Sequence, residues 1–381
     1  MAGTRADPAE IAILLPHGEQ FGPQHAGAIA LHVRDVTRAS RLRDRIRIYG
    51  APVALPFAGF DYRPLSPAWH GLRGRNIGLA ETLRRRLQGR DDVMVEVYNR
   101  PNMLAHLAAR APGLPLTLRL SNDPTTMRSA RTPAERTQLL ARARAILCVS
   151  DYVRRRFLDG LDAAALAQAA RKLQVTHNAI PRTLAAPPRK ERLVLFVGRI
   201  IEAKGVADLV GALERVLPRH PGWRAAIIGT SQTRRSPRQP SAFESALGER
   251  CARLGAAVRC LGQLPNETVL AHFAQAAIVV VPSRWEEPLA RTAIEGLAHG
   301  CAVLAYATGG LPEVLRGRGL LIERPTADAL ALALERVIAD DALRAELQHQ
   351  AWHDYPFEVS RLAARIDALR ATILAGLDRA A

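Results

Sequence analysis

Short apolar runs alternate with helical stretches along this 381-residue chain. In the first half the apolar runs lie at 11–16, 46–49, 93–97, 116–120 and 145–149. Between them lie helical stretches such as 77–87 and 101–110. Alternation at this spacing predicts parallel sheets covered by helices, and therefore an α/β, doubly wound fold. A chain of this length has room for two domains of ordinary size.

A proline-rich stretch at 175–190 divides the chain. Prolines at such density are typical of a linker between domains. We therefore predict a first domain at residues 1–180 and a second at residues 181–357. His177 and Asn178 would then lie at the hinge, where we expect a structural role.

Basic residues are concentrated in the first half. Residues 1–190 contain 30 Lys and Arg against 15 Asp and Glu, whereas residues 191–381 contain 23 against 21. The asymmetry indicates an anionic partner, such as membrane headgroups, an acidic or phosphorylated glycan, or nucleic acid. An arginine-rich composition without function is the alternative, but it does not explain the uneven split. Nucleic acid is disfavoured because no stacking-aromatic pattern accompanies the arginines.

No apolar stretch approaches the roughly 18 residues that a membrane span needs, and no secretory signal opens the chain. We therefore expect a cytoplasmic protein, and the charge suggests peripheral contact with the inner face of the cytoplasmic membrane. The four cysteines show no CxxC spacing, so we expect no metal site.

The most informative stretch follows an apolar run at 278–281. A helix is predicted to begin at Leu289, and its first amides, on Leu289 and Ala290, can bind a phosphate. Glu287 and Glu295 lie a little over two helical turns apart. Two carboxylates beside an anion site suit a ligand that carries both phosphate and hydroxyl groups, such as a nucleotide sugar.

A basic pair, Arg199 and Lys204, follows the apolar strand that opens the second domain. The carboxyl end of a strand in an open α/β sheet is where a diphosphate is expected to bind. Lys204 is one of three lysines against 50 arginines. A compact ammonium that acts as a point charge on phosphate would explain this choice, although an ordinary surface lysine is the alternative.

These stretches resemble the motifs of a known family. Residues 287–295 and 309–313 resemble the E-x7-E and GGxPE motifs of retaining glycosyltransferases of family 4. Residues 196–205 resemble the phosphate loop of that family, and residues 177–180 resemble its HNGI linker. The resemblance implies the GT-B fold, in which two Rossmann-like domains face each other across a cleft. It also implies that the last helix, at about 358–381, packs back on the first domain.

The resemblance implies a role for each motif residue. Glu295 would bind the ribose hydroxyls, and Glu287 would bind the hydroxyls of the transferred sugar. Arg199, Lys204 and the helix amides would stabilise the leaving phosphate, with retention at the anomeric carbon. Because cationic side chains supply the positive charge that stabilises the leaving phosphate, we expect neither a metal nor a further cofactor. Ala290 stands where the family has glycine, which preserves the amide but changes the sugar pocket.

Further donor-binding residues follow from the same resemblance. Gly198 belongs to the phosphate loop. Family members place a glycine loop after the first strand, facing the donor diphosphate, so Gly22 and Gly27 are candidates. Ser121 and Asn122 stand near the position where family members commonly have a histidine close to the donor sugar. A turn and helix cap is the alternative interpretation of these two polar residues.

We therefore expect a hexosyltransferase-type enzyme that moves a sugar from a nucleotide sugar to a glycan or lipid-linked glycan acceptor. Lipopolysaccharide or exopolysaccharide biosynthesis is the expected context. Two alternatives stay open: a catalytically weak nucleotide-sugar-binding protein, and an NDP-sugar epimerase of the same fold. Turnover of a nucleotide sugar would exclude the first of these.

Overall fold

The structure is a computed structural model, and it describes residues 9–68, 74–231 and 240–377. The chain forms two compact units. Unit 1 comprises Met1–Ala179 and Val359–Ala381, and unit 2 comprises Ile180–Glu358. Each unit contains one parallel β-sheet, and helices lie between all successive strands except β2 and β3.

Unit 1 is built on a seven-stranded sheet. Its strands are β1 (Glu10–Leu14), β2 (Ile46–Gly50), β3 (Tyr62–Pro64), β4 (Val93–Tyr98), β5 (Leu116–Leu120), β6 (Ala145–Cys148) and β7 (Leu173–Val175). Its helices are α1 (Ala28–Ala39), α2 (Arg75–Arg86), α3 (Pro101–Arg110), α4 (Pro133–Arg142), α5 (Asp151–Leu158), α6 (Ala163–Lys172) and α14 (Val359–Leu377). The strand order is β3-β2-β1-β4-β5-β6-β7, so it reverses between β1 and β4.

Unit 2 is built on a six-stranded parallel sheet. Its strands are β8 (Glu191–Val197), β9 (Arg224–Ile228), β10 (Val258–Gly262), β11 (Ala276–Val281), β12 (Ala302–Tyr306) and β13 (Leu320–Ile322). Its helices are α7 (Val206–Val216), α8 (Ala242–Arg253), α9 (Asn266–Gln275), α10 (Arg291–Ala298), α11 (Leu311–Leu315), α12 (Ala327–Ala339) and α13 (Asp341–His353). The order β10-β9-β8-β11-β12-β13 reverses between β8 and β11.

The central strands are mostly apolar because helices and neighbouring strands bury every residue in them. All residues of β1, β4, β5, β11 and β12 are buried. Continuous burial explains why β11 and β12 appear in the sequence as unbroken apolar runs, whereas β1, β4 and β5 each include a buried charged residue, Glu10, Glu96 and Arg119 respectively. The prediction of an α/β protein with parallel sheets is therefore confirmed.

The last helix, α14, is held to the sheet of unit 1 by a buried charge network. Arg370 is fully buried and donates to Glu96 of β4 at 2.8 and 2.9 Å. It also donates to Asp367, at 3.1 Å, and Asp367 accepts a bond from the Ser40 hydroxyl at 2.7 Å. Residues 378–381 of the predicted final helix lie outside the described residues.

Apolar runs at 224–229, 256–262 and 302–305 also predict strands, which form β9, β10 and β12, whereas three strands were not expected: β3, β7 and β13. Each has three residues and lies at an edge of its sheet, where one neighbour is missing and the apolar signal is weak. The helix expected to begin at Leu289 begins instead at Arg291. That prediction was wrong because Ala290 has an extended backbone and forms the N-cap.

Among the described helices, none combines the length and the apolar character that a membrane-spanning segment requires.

Candidate functional site

In unit 2 the predicted site residues other than Glu295 lie in two loops at the point where the strand order reverses. One loop follows Val197 at the end of β8, and the other follows Val281 at the end of β11. These strands are hydrogen-bonded neighbours, with Val194 opposite Ile278. The crevice outside such a switch point is the usual ligand site of an open α/β sheet.

The two loops meet in an ion pair. Lys204 Nζ lies 2.5 Å from Glu287 Oε2, although the two residues are 83 positions apart in sequence. The Ser283 hydroxyl donates to the same carboxylate oxygen at 2.9 Å. The side chains of Lys204 and Glu287 are 20% and 12% exposed, so both are largely buried but remain accessible. The pair places a cation and a hydrogen-bond acceptor side by side at the switch point.

A glycine allows the loops to approach this closely. Gly205 has φ +65°, and a Cβ there would lie 1.7 Å from the carbonyl oxygen of Pro282. The amides of Arg284 and Trp285 donate to the carbonyl oxygen of Ala203 at 3.0 and 3.2 Å. Because the two backbones are in direct contact, the position of Lys204 relative to Glu287 depends on glycine at position 205.

The Gly-Gly turn after β12 supports the segment that contains Glu287. Gly309 has φ +55°, and its amide donates to Glu286 Oε2 at 2.8 Å. The Gly310 amide donates to the carbonyl oxygen of Glu287 at 2.7 Å. A Cβ on Gly309 would lie 2.2 Å from that same carbonyl oxygen. The GGxPE motif therefore positions the backbone of the Glu287 loop.

Glu295 lies on α10 and is only 5% exposed. Its Oε1 accepts a bond from Arg291 Nε at 2.8 Å, one turn earlier. Leu289 and Ala290, also predicted to bind the donor, are buried and precede the helix. The start of α10 has no side-chain cap and no acidic residue in its first turn, which favours an anion nearby.

Arg199 and Gly198 follow β8 directly. Arg199 is exposed, and no carboxylate in the described ranges lies within ion-pair distance of it. The Gly198 amide donates to the carbonyl oxygen of Ile228 at 3.0 Å, so it extends the pairing of β8 with β9. A Cβ on Gly229 would lie 1.8 Å from the carbonyl oxygen of Gly198. Gly198 therefore belongs to a tightly packed backbone at the site.

Sequence reasoning missed a buried group beneath these loops. Asp208 in the first turn of α7 accepts bonds from Arg284 at 2.6 and 2.7 Å. It also accepts a bond from the Tyr306 hydroxyl at 2.9 Å, and burial raises the pKa of that tyrosine. These partners lie 76 and 98 positions from Asp208, so no local pattern connects them. Asp208 ties the β11 loop to α7 and β12.

In unit 1 the predicted glycine loop holds one of the chain's own carboxylates. Glu19 Oε1 accepts a bond from the Ala30 amide at 3.0 Å, in the first turn of α1. A Cβ on Gly27 would lie 2.4 Å from that oxygen, so glycine makes room for Glu19. Burial raises the pKa of Glu19. Gly22 instead packs against the backbone of Leu55. A Cβ on Gly22 would lie 2.2 Å from the carbonyl oxygen of Leu55.

Ser121 and Asn122 follow β5 and differ in environment. The Ser121 amide donates to Asn99 Oδ1 at 3.0 Å, which ties the end of β5 to the end of β4. Asn122 is exposed and lines a cavity of about 410 Å³ in unit 1. The structure thus brings Asn122, but neither Gly22 nor Gly27, to this cavity.

The described residues contain no group of three or more His, Cys, Asp or Glu side chains arranged to hold a metal ion.

Part of the chain is similar in sequence to known proteins. Residues 182–353 match the family of glycosyl transferases group 1, and this segment lies within unit 2. An exopolysaccharide phosphotransferase of Streptomyces coelicolor is 27% identical over 75% of this chain and 29% of its own length. A phosphatidyl-myo-inositol mannosyltransferase of Mycolicibacterium smegmatis is 30% identical over 52% of this chain and 49% of its own length. The chain therefore spans half or less of the length of these relatives.

A solved structure shows the same fold. The Anabaena protein HepE, in complex with UDP and glucose, superposes with a TM-score of 0.73 at 18% identity. The match covers 96% of this chain and 100% of HepE. The likeness confirms the prediction of two Rossmann-like domains of the GT-B type.

Proposed function

We propose that this protein is a retaining, family 4-type glycosyltransferase that uses a nucleotide-sugar donor. The observation that carries the proposal is the Lys204–Glu287 ion pair at the switch point of unit 2. It lies inside the segment that matches the group 1 family. The complex of HepE with UDP and glucose supports a nucleotide sugar as the donor.

In the proposed reaction, unit 2 binds the donor. Departure of the nucleoside diphosphate leaves negative charge on the leaving phosphate while the anomeric carbon becomes cationic. Lys204 and Arg199 stabilise that phosphate, as does the uncapped start of α10. These groups act without a divalent metal in the proposed mechanism. The acceptor hydroxyl attacks the anomeric carbon from the face that the diphosphate leaves and gives its proton to the departing diphosphate, so that the configuration is retained without a carboxylate nucleophile.

Two carboxylates orient the donor. Glu287 accepts hydrogen bonds from hydroxyls of the transferred sugar, while Lys204 and Ser283 hold its carboxylate in place. Glu295 accepts hydrogen bonds from the ribose, and Arg291 holds it in position. A carboxylate suits both tasks because each of its oxygens accepts more than one hydrogen bond. Leu289, Ala290 and Gly198 contribute backbone to the same pocket.

Unit 1 provides the acceptor side. Ser121 and Asn122, and Gly22 and Gly27 of the loop after β1, are proposed as further donor-binding residues. A glycan or lipid-linked glycan is the proposed acceptor, in lipopolysaccharide or exopolysaccharide biosynthesis. The basic first half supports peripheral contact with an anionic membrane surface.

The testing experiment is a panel of UDP, GDP and ADP sugars against the wild type, Glu295→Gln and the control Glu323→Ala. Glu323 is an exposed carboxylate of unit 2 and follows β13, at the edge of the sheet. A donor at a hundred times its Kd stabilises the folded state by about 2.7 kcal/mol, which a thermal-shift assay resolves. We expect stabilisation in the wild type and the control, and its loss in Glu295→Gln.

Turnover then separates the alternatives. Transfer with the anomeric configuration preserved, as read by NMR of the product, supports the proposal. Binding without release of nucleoside diphosphate would favour a binding protein. Conversion of the nucleotide sugar to its epimer without an acceptor would favour an epimerase. An inverted product would refute retention.

A further inference from the structure

A basic cavity in unit 1 is unexplained by the donor site. Its volume is about 410 Å³, within the range of small-molecule sites. Three arginines line it together with three asparagines and Thr126, and no Asp or Glu is among its described lining residues. The arginines are Arg75, Arg100 and Arg128, and the asparagines are Asn76, Asn102 and Asn122.

The cavity lies where unit 1 is expected to bind a ligand. Arg100 follows the end of β4, and residues 122–128 follow the end of β5. Both are carboxyl ends of parallel strands, and β4 flanks the reversal of strand order. Crevices at such positions are the usual ligand sites of doubly wound sheets.

Two of the cavity arginines have no carboxylate partner in the described chain and can therefore pair with an anion. Arg75 and Arg128 are exposed, and no carboxylate of the described chain lies within ion-pair distance of either. Neighbouring basic clusters differ, because their side chains are already paired within unit 1. Arg84 and Arg85 contact Glu81, Arg154 and Arg155 contact Asp151, and Arg156 contacts Asp123.

Arg100 is partly buried, and its best protein partner is a backbone carbonyl. One of its guanidinium nitrogens donates to the oxygen of Asn99 at 2.6 Å. Burial lowers the pKa of Arg100, while the Glu19 carboxylate opposes that effect. An anion in the cavity would compensate the charge that burial disfavours.

Two residues with left-handed backbone adjoin this cavity. Asn99 and Ser129 have φ +51° and +66°, and no other non-glycine residue in the described ranges has positive φ. They directly adjoin Arg100 and Arg128. Asparagine adopts this region more readily than most residues, whereas serine rarely does, and residues with such backbone cluster at ligand sites.

The N-terminal ends of two helices add to the positive electrostatic potential of the cavity. α2 begins at Arg75 and α3 begins at Pro101, and neither start has a side-chain cap or an acidic residue in its first turn. The helix starts at Thr132, Ser150 and Asp162 in the same unit are all capped by their own side chains. The positive ends of two helices thus reinforce the arginines.

We infer that this cavity binds the phosphate group of a hydroxyl-bearing acceptor, such as a sugar or polyol phosphate, through Arg75, Arg100 and Arg128. Guanidinium groups suit phosphate because they donate paired hydrogen bonds. Amide and hydroxyl groups of Asn102, Asn122 and Thr126 suit the acceptor hydroxyls. The acceptor role rests on the proposed function, whereas the anion site itself does not.

Isothermal titration tests the anion site with glucose 6-phosphate, glucose and inorganic phosphate. We expect glucose 6-phosphate to bind and glucose not to bind. Arg75→Gln and Arg128→Gln each weaken binding by about tenfold to a hundredfold, since each removes a hydrogen bond to a charged group. The matched control is Arg142→Gln, an exposed arginine of α4 outside the cavity, and it leaves binding unchanged.

Lys204→Met separates this site from the donor site. Glucose 6-phosphate that binds Lys204→Met normally but Arg128→Gln weakly supports the inference. Binding that Lys204→Met abolishes and Arg128→Gln preserves would overturn it, because the anion would then occupy unit 2. Vesicles with and without phosphatidylglycerol distinguish a lipid headgroup from a soluble phosphate as the source. The inference is also overturned if the protein binds neither glucose 6-phosphate nor phosphatidylglycerol vesicles in a way that depends on the cavity arginines.

Turnover distinguishes failure of this inference from failure of the proposed function. Nucleoside diphosphate release at equal rates with phosphorylated and unphosphorylated acceptors, and at the same rates in Arg128→Gln, would overturn the inference. The proposal of a glycosyltransferase would remain supported. Arginine-dependent binding of glucose 6-phosphate without any nucleotide-sugar turnover supports the anion site and refutes the transferase. A rate that falls at least tenfold on removal of the acceptor phosphate supports both.

Discussion

Replacing Gly205 with alanine tests the close approach of the two loops that form the donor site. In the structure, the added Cβ lies 1.7 Å from the carbonyl oxygen of Pro282, and φ at this position is +65°. The obstructing atom is backbone, so no side chain can rotate away. Gly205→Ala must therefore shift one loop away from the other and separate Lys204 from Glu287.

Two contributions set the size of the effect. An alanine in the left-handed region costs about 1–2 kcal/mol. Forcing an extra methyl group into a packed region adds about 1–3 kcal/mol. The free energy of unfolding of unit 2 should therefore fall by about 2–5 kcal/mol. A loss of this size is large against the total stability of an ordinary domain.

Gly255→Ala is the matched control. Gly255 also lies in unit 2 and has φ +59°, but a Cβ there would meet nothing within 4 Å. Only the backbone contribution of about 1–2 kcal/mol applies to it. The difference between the two variants therefore isolates the contact with Pro282.

Urea unfolding followed by tryptophan fluorescence measures both variants. Three of the four tryptophans lie in unit 2, at positions 223, 285 and 352, so the signal reports mainly on that unit. We expect Gly205→Ala to have a clearly lower unfolding midpoint than Gly255→Ala. Equal losses of stability would refute the packing of the loop after β8 against the loop after β11, and with it the basis of the Lys204–Glu287 contact.

Three further outcomes are expected. Lys204→Met should lower the rate of nucleoside diphosphate release by about a hundredfold to a thousandfold, as loss of an oxyanion-hole donor does, and a rate within threefold of wild type would contradict its role. Cys260 is exposed, and a hydrogen bond from Cys251 lowers its pKa to about 7. Because the thiolate is the reactive form, its alkylation rate should rise with pH to half its maximum near pH 7, and mass spectrometry should find Cys251 unmodified. Arg370→Met should destabilise unit 1 by about 3–5 kcal/mol, since it leaves Glu96 buried without its partner; unchanged urea unfolding, followed by far-UV circular dichroism so that both units report, would contradict the buried network.

The three lysines of this arginine-rich chain occupy specific positions, not only in the donor site. All three lysines of the chain have dedicated acceptors. Lys190 donates to the carbonyl oxygens of Phe273, Ala274 and His299, at the ends of two helices. Lys172 donates to the carbonyl oxygen of Leu140 at 2.7 Å. At position 190, a compact ammonium meets three convergent carbonyl oxygens better than a planar guanidinium does, which explains a lysine there.

The sequence by itself determined the elements of the fold. Strands buried on both faces are mostly apolar, and helices on a sheet are amphipathic, so the pattern of apolar residues along the chain revealed both. The stretch 101–110 was predicted as a helix and forms α3 over the same residues. The motif residues Lys204, Glu287 and Glu295 were likewise named from local spacing. Short edge strands escaped because a three-residue segment with one neighbour has little periodicity.

Only the tertiary structure decided which side chains meet. Lys204 reaches Glu287, and Asp208 reaches Arg284, because the strand order makes β8 the neighbour of β11. Tertiary structure also brings Glu19 to the start of α1 and brings three arginines to one cavity. Local periodicity specifies helices and strands, whereas contacts between loops depend on how the sheet orders strands that are distant in sequence. No pattern along the chain encodes that order.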